Sequence, residues 1–261
     1  MYIGTLGIEM RFVLALLIGA FVGGTAGYLG TLMLSKRMSL VAGPLGHLTL
    51  PGVALALMFG LDVSLGAFLM VALGAVLIWL LEIRTKLPME SLTAIVFASG
   101  VAITFLFLPE EMTVPALIGD ISQISLLTTA MTVILCATIL IATRRIYQRM
   151  IMISISEDLA RAEEIDVRKC NFIYLTCIAL TVSLGVRIVG GLMTAALTSI
   201  PACTSYNLSK NLSQYSRWGV MLGSSAGIMG IVGFMFTGIP PGLLIILTSA
   251  SFFLASLAFK R

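Results

Sequence analysis

The sequence predicts an all-α fold, a polytopic transmembrane helix bundle with eight or nine spans, and three observations carry that expectation. Of its 261 residues 59% are hydrophobic and 11% charged, with a mean hydropathy of +1.07, whereas a soluble domain carries about 25% charged residues. That leaves too little polar surface to cover a water-soluble globule. The apolar residues also fall in runs of about 20, the length a helix needs to cross a hydrocarbon core. Finally, the charges lie between the runs, and eleven of the twenty-eight charged side chains fall in one stretch, Arg144 to Lys169.

In chain order, the runs that meet the length requirement are Phe12–Leu34, Leu40–Phe59, Val63–Leu81, Leu92–Leu108, Ile121–Ala142, Asn171–Ile188, Leu192–Leu208, Trp218–Phe236 and Leu243–Phe259. The seventh is the weakest, because Pro201 and several Ser and Thr interrupt it. If that segment is broken or re-entrant, eight spans remain. The N-terminal MYIGTLGIEMR has neither a basic leader nor a small-residue cleavage site, so the first span is expected to stay in place. With nine crossings and the N-terminus outside, fourteen of the sixteen Lys and Arg fall on the inner side, and only Arg11 and Arg187 fall outside. This asymmetry puts the C-terminus and the Arg144–Lys169 island in the cytoplasm. The net charge of +4 therefore reflects topology and is no sign of a nucleic-acid partner. The expected organisation is one transmembrane domain over residues 1–261 with a cytoplasmic segment at 144–169.

Gly19, Gly23 and Gly27 in the first span and Gly219, Gly223 and Gly227 in the eighth repeat at intervals of four. Such small-residue faces let membrane helices approach closely, within one bundle or between two subunits. Cys136, Cys170, Cys177 and Cys203 lie in or beside apolar runs without a CxxC pair and read as small buried hydrophobes.

Within the charged island, Ser154 or Ser156 can cap a helix start, with Glu157 and Asp158 in the first turn. Ile151, Ile155, Leu159 and Ala162 make one apolar stripe. Glu157 and Arg161 are an i,i+4 pair in the favourable order. A short amphipathic helix here either lies against lipid headgroups or offers a surface to a soluble partner.

Chemistry-bearing motifs are few. The chain contains neither a GxxxxGK[ST] phosphate loop nor an HExxH pair. Its single histidine, His47, lies within the second span, where an ionisable residue suggests function. Gly43, Pro44, Gly46, Pro51 and Gly52 around it loosen the helix and free carbonyls that could line a cation path. One imidazole is a poor site alone, since Zn²⁺ takes about four ligands, so other ligands would come from elsewhere, including a second copy. In the seventh span Thr194, Thr198 and Ser199 are candidates to line a path or to bond across helices. A secondary transporter would keep carboxylates at mid-membrane, but Asp62, Glu82, Glu90 and Asp120 all sit at span edges. A membrane anchor or intramembrane enzyme would need a catalytic pair that the sequence does not show.

The motifs resemble those of the ABC-3 family, the integral-membrane permeases of bacterial ABC importers for zinc, manganese and iron. They are HLTLPGVALAL at His47–Leu57, ESLTAIVFASGVAI at Glu90–Ile103, LIGDI at Leu117–Ile121, EDLARAEEI at Glu157–Ile165, VGGLMTAALTSIPACTS at Val189–Ser205 and IPPG at Ile239–Gly242. Each is weak alone, but six in order over nearly the whole chain are specific. The resemblance implies a permease that does not hydrolyse ATP itself. It implies a cytoplasmic ATP-binding-cassette subunit docked on Ser156, Glu157, Asp158, Leu159, Ala160, Arg161, Ala162, Glu163 and Ile165. It also implies an extracytoplasmic metal-binding protein and a second permease copy. No cofactor is implied; the cargo would be a divalent metal cation, with His47 as a ligand. Two departures stand out. Gly43 occupies the place of an aspartate four residues before the histidine, which removes a hard, charged ligand. Glu164 replaces the usual glycine of the docking segment, so that helix is expected to run on.

Overall fold

The computed structural model describes residues 2–36, 46, 48–60, 63–85, 87–107, 125–189 and 194–259. Among these residues the regular structure is entirely α-helical: α1 (Tyr2–Ser35), α2 (Thr49–Phe59), α3 (Val63–Thr85), α4 (Met89–Phe107), α5 (Leu126–Ile155), α6 (Glu157–Ala162), α7 (Val167–Val189), α8 (Thr194–Leu208), α9 (Leu212–Thr237) and α10 (Pro241–Leu257). Every predicted span contains one of these helices. Among the described residues five segments are long and apolar enough to cross a membrane: Met10–Ser35, Leu65–Thr85, Leu126–Ile155, Val167–Val186 and Leu212–Thr237. The N-terminal part of the second predicted span, residues 40–45, and His47 lie outside the described residues.

The bundle is organised around α1, which packs most extensively against α9. The two glycine ladders meet there in antiparallel register, Gly19 opposite Gly227, Gly23 opposite Gly223 and Gly27 opposite Gly219. A Cβ placed at Gly23 would overlap the Gly223 carbonyl, and one at Gly223 would overlap the Gly23 carbonyl. Contact between backbones is what such faces provide in lipid, where burial of apolar surface gives helices no drive to associate. Both ladders are therefore spent inside one chain. The Ser224 hydroxyl adds a hydrogen bond to the Ala20 carbonyl at 2.8 Å.

The antiparallel register also puts the C-terminal end of α1 beside the α8–α9 turn. Leu34 and Ser35 line one cleft of about 950 Å³ together with Lys210, Asn211, Trp218 and Phe259. Asn211 caps α9 there by accepting from the Gln214 amide at 2.8 Å.

α1 and α7 are the buried helices, whereas α3 and α5 line the outside. Leu65, Leu69, Leu73, Leu77 and Leu80 of α3 form an exposed stripe at helical spacing, a face suited to lipid. α5 has 30 residues and is about 45 Å long, well beyond the roughly 30 Å hydrocarbon core. Arg144, Arg145 and Arg149, expected in a loop, lie on its last turns instead. α8 has 15 residues with Pro201 inside, about 22 Å of helix. Cys136, Cys170 and Cys177 are buried free thiols, and Cys203 is half-buried.

Candidate coupling site and transport path

The break between α5 and α6 is local chemistry. Ser156 has an extended backbone, closes α5 and caps α6, its hydroxyl accepting from the Leu159 amide at 3.3 Å. Ser154 instead donates to the Ile151 carbonyl at 2.6 Å. Arg161 and Glu157 pair at 2.6 Å with both side chains more than half exposed, so the pair adds little to stability. The carboxylate beside it raises the Arg161 guanidinium further above its already high range.

The far end of α6 differs from the expectation of a continuing helix. α6 stops at Ala162, the Glu164 amide donates to Arg161 O at 3.1 Å, and the Ile165 amide donates to Ala160 O at 3.0 Å. These two bonds define a Schellman motif, which needs a left-handed residue between them. Glu164 takes that conformation at φ 55°, although it is not a glycine. The stop is built from backbone hydrogen bonds, so losing the glycine strains it without removing it.

The apolar stripe also faces elsewhere than a packed helix would require. Ala160 is fully buried, and Met150 and Ile153 carry the contact with the bundle, while Ile155 is 77% exposed and Leu159 59% exposed. Ala162 is exposed and Ile151 half-buried. The break at Ser156 turns the stripe outward, beside Glu157, Asp158 and Arg161. Exposed apolar residues rimmed by charge suit either lipid headgroups or a protein partner. α6 itself is held by packing on α5 and α7.

Close to α6 lies a polar cluster that the sequence reading missed. Lys36 Nζ, at the end of α1, donates to Asn171 Oδ1 at 3.0 Å, and Asn171 Nδ2 donates to Glu82 Oε1 of α3 at 2.9 Å. Lys36 also lies over the Tyr174 ring, 5.4 Å from its centroid. Burial lowers the Lys36 pKa, with the charges of Glu82 and Glu157 opposing that shift. Nearby, Trp79 of α3 stacks edge-on against Phe172 at 5.1 Å and donates to the Arg168 carbonyl at 3.4 Å. Thr31 donates to the Tyr28 carbonyl at 2.6 Å, leaving its oxygen to accept from the Tyr147 hydroxyl at 2.9 Å. Lys36 and Glu82 read as span-edge charges and Asn171 as the start of a span. Nothing local links positions so far apart in the chain.

The candidate path residues are placed on α8. Thr194 and Thr198 are buried one turn apart, and Ser199 is half-buried. The Thr194 methyl meets Gly185 of α7, and the Thr198 carbonyl closes on Gly30 of α1. His47 lies outside the described residues. Gly46 is buried, and Leu48, 3% exposed, wedges between Gly74 of α3 and Gly100 of α4. Among the described residues no three His, Cys, Asp or Glu side chains cluster as a metal site.

Comparison with known proteins decides the family, because the model of the ABC 3 transport family matches residues 10–260. The chain belongs to the ABC 3 transport family. Within it, the chain is 25% identical to the manganese import system permease protein ScaB of Streptococcus parasanguinis, over 93% of this chain and 88% of that protein. It is 26% identical to the high-affinity zinc uptake system membrane protein ZnuB of Haemophilus influenzae, over 95% and 96% of the two chains. A solved structure titled PsaBC from Streptococcus pneumoniae in complex with Fab matches with a TM-score of 0.78 and 26% identity, over 93% of this chain and 89% of that one. Family members are membrane permease subunits of ABC importers, so this ABC 3 chain is a multi-pass protein of the cell membrane.

Proposed function

We propose that this chain is the membrane-spanning permease subunit of an ATP-driven importer for a divalent transition-metal cation (zinc, manganese or iron), driven by a separate ATPase. The observation that carries this reading is the outward apolar and charged face at the α5–α6 junction, Ile155 and Leu159 beside Glu157 and Arg161. A chain without a phosphate loop needs an external motor, and this face suits one. The docking surface would be Ser156–Ile165 on the cytoplasmic side. An extracytoplasmic metal-binding protein would deliver the cargo, and a second copy of the permease would complete the bundle.

In this mechanism closure of the ATPase pair pushes on α6, and the spans tilt between outward- and inward-facing arrangements. The cation partly desolvates, passes His47 and leaves unchanged. With Gly43 where a carboxylate would stand, His47 shares the cation with hydroxyl and carbonyl oxygens or with the second copy. Thr194 and Thr198 are closed between helices in this arrangement, Ser199 is half-buried, and all three would meet the path as α8 moves. Nine crossings fit the antiparallel α1–α9 packing, because six intervening spans return the chain in the opposite sense.

The test is reconstitution with the ATPase in proteoliposomes, measuring ATP-dependent uptake of Zn²⁺, Mn²⁺ and Fe²⁺ separately. Leu159→Asp with Arg161→Glu should lower ATPase recovery in a pull-down at least about tenfold, since hot-spot truncation costs about 2 kcal/mol or more. Wild-type recovery with that variant, or uptake without the ATPase, overturns the reading.

A further inference from the structure

Beyond docking itself, the structure shows how a push on α6 could reach the spans. Lys36, Asn171 and Glu82 tie the ends of α1, α7 and α3 on the side that carries α6. Among the described residues the only direct ion pair within 4 Å is Arg161–Glu157, so Lys36 and Glu82 meet through the Asn171 amide. The amide suits this place because it accepts from a cation with its oxygen and donates to a carboxylate with its nitrogen. Asn171 is 6% exposed, whereas Lys36 and Glu82 are half-buried. The amide therefore holds both charges while they are half-buried, and a small displacement returns them to water. Deep in the bundle such a network would be locked, and in full solvent it would weigh little.

Two further observations join the cluster to α6. The link from α6 to α7 is short, and Asp166 fixes the start of α7 by accepting from the Lys169 amide at 3.0 Å. Asn171 follows in the next turn, so a displacement of α6 reaches it through rigid helix. Glu157 of α6 is also close enough for its charge to act on both Lys36 and Glu82.

We propose that Lys36, Asn171 and Glu82 form a latch across the inner ends of α1, α7 and α3, which holds the resting arrangement and opens when the ATPase displaces α6. These are positioning residues that act through the helices they tie, and the proposal rests on the docking reading above. Removing the latch destabilises the resting arrangement and shifts the population toward the one the ATPase drives. A bundle already shifted turns the motor over without cargo.

The test uses the permease–ATPase complex in lipid nanodiscs with MgATP and no added transition metal, reading ATP hydrolysis per folded complex together with ATPase recovery. Asn171→Leu and, separately, Lys36→Glu should raise cargo-free hydrolysis about threefold or more at unchanged ATPase recovery. Lys36→Glu with Glu82→Lys should return it to within about twofold of wild type, because the amide can flip to serve exchanged charges. Unchanged hydrolysis in both single variants overturns the latch. So does an exchange variant no better than Lys36→Glu, or a loss of thermal stability with turnover per folded complex unaltered. Failure of the ATPase to co-purify with the wild-type chain overturns the docking reading instead, and the latch with it.

Discussion

At Glu164 one side chain sits where the backbone asks for none. The Schellman bonds from the Glu164 and Ile165 amides fix the end of α6, and the residue between them must be left-handed, which costs a non-glycine residue about 1–2 kcal/mol. Glu164→Gly should therefore raise the apparent unfolding temperature in detergent by roughly 2–4 °C, the shift about 1 kcal/mol produces at this size. A lower midpoint would show that the Glu164 carboxylate contributes more than its backbone strain costs. At this scale the sequence was partly legible. A cap at Ser154 or Ser156 and a Glu157–Arg161 pair follow from residue type and spacing, and the structure has the pair and takes Ser156 as the cap. The stop at Ala162 was not legible, because it depends on backbone bonds that any residue can make once α7 fixes the direction of the exit. His47 and Gly43 lie outside the described residues, so the metal reading still rests on the sequence and the family.

Elements show the same division between local pattern and tertiary partner. Glycines at intervals of four announce a face for close packing, but their spacing does not say which helix fills it. The structure pairs Gly23 with Gly223, two hundred positions on. Likewise, hydropathy ends the expected span at Ala142, while the helix itself runs on to Ile155, since Arg, Gln and Met continue a helix as readily as Leu does. The Lys36–Asn171–Glu82 cluster was invisible for this reason: each residue is an ordinary span-end polar group until three helices meet. The ladder can be tested with one chemical change made twice on α9. Gly223→Ala places a methyl against the Gly23 backbone, whereas Gly233→Ala meets only the flexible end of Leu244, at 3.3 Å. Overpacking costs about 1–3 kcal/mol where the neighbour cannot yield. Gly223→Ala should therefore lower the apparent unfolding temperature by roughly 3–10 °C, with little change for Gly233→Ala. Equal losses in the two variants would mean that the ladders do not meet.

For the whole molecule, the decisive question is which face of the membrane carries α6, and the packing of α1 against α9 bears on it independently of charge counting. Because Gly27 lies opposite Gly219 and Gly19 opposite Gly227, the start of α9 stands beside the end of α1, and Ser35 and Lys210 line the same cleft. Lys210 and Lys36 must then share a membrane face. This agrees with the charge asymmetry only if α8 counts as a crossing despite its 15 residues and Pro201. A re-entrant α8 would return Lys210 to the outer side and pull the ladders apart. The inner side is also where a positively charged α8–α9 turn is stable. Lys210→Cys should thus resist a membrane-impermeant maleimide in intact cells and react after permeabilisation, whereas Glu111→Cys, in the acidic outer loop expected from the sequence, should react in both. The unsubstituted chain provides the blank, since three of its four thiols are buried. Labelling of Lys210→Cys in intact cells would place the α8–α9 turn outside. Because Lys36 lies on the same face and is tied to Asn171 and Glu82, the ends of α1, α3 and α7 would then be outside too, away from any cytoplasmic ATPase.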